Sequence, residues 1–389
     1  MSLSNITLSA SVRQNLLSLQ GTAELLATTQ GRLATGKKVN SALDNPTNFF
    51  TAAGLESRAS DISNLLDSIG NGVQVLQAAN TGITSLSKLV DTAKSIANQV
   101  LQAPTGYSAK STVTSTAALG GTAANLVDGA TIKAGQTIIV AANGSLPAVT
   151  VTIGASESLD QLNTALAAGN LTASLDSANK LVITTTNDFA SSTIGAVTVG
   201  STPGSATFGA AVAPVADAVS QATRASLVSQ YNQIITQITT TAQDSSFNGV
   251  NLLNGDTLKL VFDETGKSTS TINGVTFNPT GLGLKALTSG TDFLDNSSTN
   301  AVLTSLNTAS ITLRSQASAF GANLSIVQIR QDFNKSLINV LQTGSSALTL
   351  ADSNEEAANS QALSTRQSIA TSALSLANQS QQSVLQLLR

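Results

Sequence analysis

Residues 55–101 read LESRASDISNLLDSIGNGVQVLQAANTGITSLSKLVDTAKSIANQVL, and their spacing decides the fold. Leu55, Ala59, Ile62, Leu66, Ile69, Val73, Leu76, Asn80, Ile83, Ser87, Val90, Lys94, Ala97 and Leu101 step alternately by four and three. A 3.5-residue period is a coiled-coil seam. No proline falls between Pro46 and Pro104, so one helix of roughly 70 Å is permitted at about 1.5 Å per residue. A helix that long is stable only against partners of similar length.

Those partners stand at both chain ends. Val12, Leu16, Leu19, Ala23, Leu26, Gln30 and Leu33 keep the same steps near the start. Leu306, Ser310, Leu313, Ala317, Phe320, Leu324, Val327, Gln331, Asn334, Ile338 and Leu341 keep them further on, and Leu363, Gln367, Ala370, Leu374, Ala377, Gln381, Val384 and Leu388 keep them at the end. The terminal segments therefore pair side by side. Asn80, Lys94, Gln331 and Asn334 interrupt the seams; they either sit at seam edges or face solvent, or else fix register at a cost in stability.

Between Pro104 and Pro214 the text changes. Charges are sparse, and β-branched runs occur at Thr137–Val140, Val149–Ile153, Leu181–Thr186 and Ala196–Val199. Ser158-Leu159-Asp160-Gln161 is a capping box, opening a helix with Leu159, Leu162, Ala165 and Leu166 on one face. The order β-β-α-β-β describes a small α+β domain inserted into a helical bundle. Asn254-Gly255 and Asn273-Gly274 are turn signals, with Leu258–Phe262, Ser268–Ile272 and Val275–Phe277 as short strands and Asp263-Glu264 with Gly266 as a further turn. The fold class is mainly α: a long antiparallel coiled-coil bundle from both termini, a small β-hairpin region and the insert. The expected segments are 1–45, 46–103, 104–216 (the insert), 217–250, 251–298 (the hairpin region), 299–345 and 346–389.

Composition narrows the chemistry. The chain has no Cys and no His, so disulfides, thiol nucleophiles, imidazole bases and the usual zinc donors are excluded. A net charge of −3 and the lack of any basic run argue against nucleic acid. No apolar run reaches the about 18 residues of a membrane span, and residues 1–20 lack the basic-then-apolar pattern of a Sec leader. Glu355-Glu356 reads as a solvated helix start, and Gly281-x-Gly283 lacks the context of a nucleotide loop. No catalytic, metal-binding or cofactor-binding residue is expected; an enzyme would need Asp, Glu, Lys or Ser chemistry with no visible nucleophile–base pair.

Three stretches carry a resemblance to bacterial flagellin. Arg32-Leu33-Ala34-Thr35-Gly36, then Val39-Asn40-Ser41-Ala42 and Asp44, is similar to that family's Arg-Leu-Ser-Ser-Gly…Ile-Asn-Ser-Ala…Asp signature. Ser246-Phe247-Asn248-Gly249-Val250-Asn251-Leu252-Leu253 resembles its Phe-Asn-Gly stretch. Ala377-Asn378-Gln379 and Gln382-Ser383-Val384-Leu385-Gln386-Leu387-Leu388-Arg389 resemble its ending. The resemblance implies an inner coiled-coil domain of both termini, a second helical domain, and an outer variable domain. It implies a secreted, extracellular subunit of the flagellar filament that polymerises with itself as the motility propeller. It also implies hook-filament junction and cap proteins, the flagellar type III export apparatus and its chaperone as partners. A junction or cap protein of the same assembly is the alternative.

The chain departs from the family's pattern in three places. The insert precedes the hairpin region, where the family usually places its variable domain after it. Thr92, Lys94, Ser95 and Ile96 stand where many flagellins carry the Arg-x-Arg-Glu-Leu pattern read by a Toll-like receptor, which implies weak receptor activation. Gly31 and Pro46 stand where Glu and Ala are frequent, and a kink is expected near Pro46.

Terminal helices with seams but no other core should order by burial between subunits, and head-to-tail contacts that do not close give a filament. The residues assigned to the self-assembly core are Val12, Leu16, Leu19, Leu26, Leu33, Leu374, Ala377, Val384 and Leu388. Second-domain packing is assigned to Leu55, Ile62, Leu66, Ile69, Val73, Leu76, Leu313, Phe320, Leu324 and Val327. The motif residues are Arg32, Asn40, Asp44, Phe247, Asn248 and Gly249.

Overall fold

The structure, a computed structural model, describes residues 10–200 and 207–387. The chain is mainly helical and forms two compact units. Among the described residues, the first comprises those up to Asn71, Leu260–Ser270 and those from Ile326 onward; the second comprises those of Gly72–Lys259 and Thr271–Ser325.

In the first unit α1 (Ala10–Thr35) packs along α6 (Ser353–Leu387). Gly36 ends α1 at φ +68°, the left-handed position that glycine takes most readily. The next helix, α2 (Pro46–Gln102), opens with proline at its first position, where the absent N–H has no intrahelical partner to lose. Asn45 Oδ1 caps it by accepting from Asn48 N at 3.0 Å. The kink expected near Pro46 is thus a full break between two helices. On α2, Ala59 and Ile62 cluster with Leu341 of α5 (Asn296–Thr349), with Leu55, Leu337 and Ile338 around them. Asn334 does not face solvent: it is 2% exposed, and its Nδ2 donates to Phe262 O at 3.0 Å.

In the second unit α2 buries Leu76, Ala79, Ile83, Leu86 and Val90. Helix α4 (Ala218–Asp244) buries Leu227, Tyr231, Ile235 and Ile238, and α5 buries Leu306, Leu313 and Phe320. Asp217 caps α4 through Ser220 N at 3.1 Å.

The insert belongs to this unit. Its root is β1 (Tyr107–Ala109), paired with β8 (Val215–Ala216). Among the described residues of the insert lie two three-stranded antiparallel sheets. One orders β4 (Val149–Thr152), β3 (Thr137–Val140) and β7 (Val197–Val199); the other orders β2 (Thr112–Thr114), β6 (Leu181–Thr185) and β5 (Leu171–Leu175). Helix α3 (Leu159–Leu166) carries both capping-box bonds and buries Leu162 and Leu166. The expected β-β-α-β-β order is therefore incomplete. β5 has the sequence LTASL, whose Ala and Ser give little strand signal, and β2 is only three residues long.

The hairpin region pairs β9 (Thr257–Val261) with β10 (Thr269–Asn273), turning through Asp263 and Gly266. Asn273-Gly274 is not a hairpin turn. A Cβ on Gly274 would lie 2.3 Å from Asp256 O, so the glycine serves close backbone approach. Val275–Phe277 forms a single bridge, Asn254 to Thr276, in place of a third strand.

Candidate self-assembly surface

The first unit joins two breaks in the helical chain. Lys38 N and Val39 N donate to Thr349 O at 2.7 and 3.3 Å, and Ala351 N donates to Gly36 O at 3.0 Å. The loop after α1 is thereby stitched to the loop between α5 and α6. Asp44 Oδ2 accepts from Asn40 N at 2.9 Å and Ser41 N at 2.8 Å. The Ser41 and Asn40 N–H groups hold the Asp44 carboxyl below its ordinary pKa. Asn40 Nδ2 in turn donates to Thr35 Oγ1 at 3.0 Å. The first signature is a loop that folds on its own hydrogen bonds, and Val39 beside it is buried.

Beyond this junction, Arg32 Nη1 lies 3.2 Å from Glu356 Oε1. Glu356 is 8% exposed, which corrects its reading as a solvated residue; Glu355 is exposed. Along α6 the covered positions are Glu356, Ser360, Leu363, Gln367, Ala370, Leu374 and Ala377. Along α1 they include Val12, Asn15, Leu19, Thr22, Leu26, Thr29 and Arg32. This α1 stripe is shifted from the expected one, so Leu16 and Leu33 are left 37% and 43% exposed. The Val384 side chain and Leu388 lie outside the described residues.

Among the described residues, most of the large exposed apolar side chains belong to this unit. Leu17, Leu25, Leu43 and Phe50 are exposed, as are Ile369 and Leu376 on α6. On α5, Ile326, Ile329, Phe333 and Val340 are exposed and share one helical face, beside the buried row Val327, Asn334 and Leu341. An apolar face of this kind along one helix marks a surface for a partner. Of the second-domain positions, Ile62, Ile69, Val73, Leu76, Leu313, Phe320 and Val327 are buried, and Leu55, Leu66 and Leu324 are half-buried.

The Phe-Asn-Gly motif lies in the second unit. Phe247 and Val250 exchange backbone hydrogen bonds at 3.0 Å each, around Asn248 at φ +50° and Gly249 at φ +79°. Two successive positive φ values make the tight turn for which Asn-Gly is the preferred pair. Asn251 then donates from Nδ2 to Ala242 O and Gln243 O, both at 2.8 Å, closing the end of α4.

Arg224 was not singled out by the sequence. It is fully buried and donates to Val100 O, Ala103 O, Pro104 O and Phe293 O at 2.5–3.0 Å. Its guanidinium satisfies the open carbonyls at the end of α2. The signal was present: no other arginine occurs after Arg58 until this one. In the receptor-pattern stretch Thr92 and Ser95 are exposed, Ile96 is buried and Lys94 pairs with Asp91 at 3.8 Å. Among the described residues no helix is long and apolar enough to cross a membrane.

Paired terminal helices, a stitched double break and an inserted α+β domain define a class: coiled-coil proteins whose two chain ends build one helical unit. Residues 5–118 match the bacterial flagellin N-terminal helical region, and residues 303–388 match the bacterial flagellin C-terminal helical region. The chain belongs to the bacterial flagellin family. It is 32% identical over 164 residues to flagellin FljM of Caulobacter vibrioides, covering 42% of this chain and 59% of that one. It is 29% identical over 171 residues to the flagellin of Brucella melitensis, covering 41% and 60%. Flagellin A of Rhizobium meliloti is 34% identical over 90 residues, 23% of each chain. The match thus spans about three fifths of the length of the first two relatives.

Proposed function

We propose that this chain is a structural subunit that self-assembles into the helical filament of the bacterial flagellum, outside the cell. The observation that carries the proposal is the apolar surface left open on the unit built from both chain ends. α1 and α6 each bury one stripe against the other and leave Leu16, Leu33, Ile369 and Leu376 uncovered. Full burial of a fully exposed side chain of this size is worth about 1.5–3 kcal/mol, and a second copy gains the share of it that these side chains still expose. Repeated along a non-closing contact, that gain builds a filament. The assembly core is then Val12, Leu16, Leu19, Leu26, Leu33, Leu374, Ala377, Val384 and Leu388.

In this reading 1–45 and 346–389 form the inner domain, the remaining helices and hairpin region form the second, and 104–216 forms the outer surface. Junction and cap proteins meet the same apolar faces at filament ends. The flagellar type III apparatus exports the chain largely unfolded, a route suited to a sequence without cysteine. No chemistry is assigned to the chain; its role is mechanical.

The test is negative-stain electron microscopy of purified subunit after seeding or salting out. Full-length chain is compared with one lacking residues 1–35 and 364–389. Long filaments from the full chain alone are the expected result. Full-length chain that binds only the ends of existing filaments is instead a junction or cap protein.

A further inference from the structure

The second unit contains a cavity of about 380 Å³ between the end of the hairpin region and the start of α5. This lies within the about 300–1,000 Å³ range of small-molecule sites. Tyr231 lines it and is 1% exposed, yet among the described residues its hydroxyl has no hydrogen-bond partner. Its oxygen is not one of the enclosed unpartnered atoms among the described residues, so the hydroxyl is free to donate to an occupant of the cavity. Its burial and the charge of Asp292 push the Tyr231 pKa up to about 12, so it remains a hydrogen-bond donor.

Phe293 has φ +62°, a conformation a bulky side chain avoids, and such strain concentrates at functional sites. It is held from two sides: Arg224 Nη1 donates to its carbonyl at 2.5 Å, and its ring meets Tyr231 edge-on at 5.9 Å. The preceding residue, Asp292, also lines the cavity.

The polar groups on the walls differ in what they have left to offer. The Ser298 and Ser305 hydroxyls already donate to carbonyls of their own segment. Asp292 Oδ2 accepts from Thr288 N at 2.6 Å, but among the described residues neither Asp292 nor Lys285 has an ion-pair partner. The lining therefore includes a donor hydroxyl from Tyr231, the half-buried Asp292 and the exposed Lys285, beside Leu284, Leu287, Ala301 and Val302.

We propose that this cavity binds a small zwitterion, an α-amino acid with an aliphatic side chain. Its ammonium meets Asp292, its carboxylate meets Lys285 and the Tyr231 hydroxyl, and its side chain packs on Leu284, Leu287 and Val302. The site is independent of the filament reading.

The test uses the full-length monomeric subunit. Tyr107 and Tyr231 are its two tyrosines and it has no tryptophan, so in a Tyr107→Phe background the intrinsic emission reports on Tyr231 alone. L-leucine is titrated beside 4-methylpentanoate, which lacks the ammonium, and isopentylamine, which lacks the carboxylate. The expected result is saturation by leucine at or below about 1 mM, with each one-charge analogue at least tenfold weaker. Asp292→Asn should weaken leucine at least tenfold with unchanged circular dichroism. Tyr231→Phe, followed by ligand-observed NMR, should weaken it several-fold. No saturation by leucine, equal binding by isopentylamine, or undiminished binding to a folded Asp292→Asn chain would each overturn the proposal.

Discussion

The Arg32 guanidinium and the Glu356 carboxylate meet at 3.2 Å across 324 positions of sequence. They close the α1–α6 seam beside the stitched loops. Arg32 is 38% exposed and Glu356 10% exposed at the side chain, so the pair is screened on one side only. Glu356→Gln should cost about 1–2 kcal/mol, between the values of surface and buried pairs. Urea unfolding of full-length chain, followed by circular dichroism, measures it. The Arg32→Gln and Glu356→Gln double variant should cost less than the sum of the singles; strict additivity would show that the two groups do not interact.

Arg224→Met removes the donors to four carbonyls at the base of the insert. The expected loss is about 3–5 kcal/mol, because buried acceptors are left without partners. Arg224→Lys keeps the charge without the planar fork and should recover only part. Hydrogen exchange should quicken around residues 100–106 in both variants. Unchanged protection there would contradict the clamp.

Asn251→Ala uncaps α4 at Ala242 and Gln243. Asn251 is buried, so water does not replace the lost bonds and the cost should be about 1–3 kcal/mol. The denaturation midpoint relative to the parent chain gives the value; a shift within error would mean that the loop reorganises to close the helix another way.

The insert should weaken in acid through Asp128. Desolvation raises that carboxyl's pKa, but hydrogen bonds from Thr131 and from the N–H groups of Gly120, Ala130 and Ile132 outweigh it and hold it well below the ordinary 3.8. A depressed folded pKa means stability that is complete above the unfolded value and lost as pH falls through the folded one. The stability of the insert should therefore fall progressively below about pH 4. Asp128→Asn should flatten that fall, read as insert-specific amide exchange at pH 2 to 5. An equally steep acid loss in the variant would assign the effect to other carboxylates.

Receptor activation should be weak. Thr92 and Ser95 are exposed where the resemblance calls for charged residues, and Lys94 is drawn to Asp91. Reporter cells given this subunit and a flagellin with the full charged pattern should respond less to this one. Equal responses at equal concentration would remove the prediction.

The helices were legible because their information is local and repeats. A 3.5-residue period over α2 needs no knowledge of its partner, and Pro46, Pro104 and Gly36 mark where helix stops or starts. The capping box at Ser158 and the turn at Asn248-Gly249 were equally readable, since one or two dihedral angles and a few bonds within four residues define each. β5 was not legible, because an Ala- and Ser-containing edge strand takes its conformation from β6 beside it.

The sequence by itself determined that both chain ends form long seamed helices around an inserted α+β domain, because apolar spacing and helix-ending residues act within a turn or two. Only the tertiary structure decided which face of each helix is covered. Leu16 and Leu33 fit the period as well as Leu19 and Leu26 do, yet the partner helix covers Leu19 and Leu26 more than the other pair. It also decided that Glu356 is buried against Arg32, that Arg224 closes the end of α2, and that Tyr231 opens on a cavity. Each depends on groups far apart in sequence meeting within a few ångströms, and no periodicity encodes that meeting.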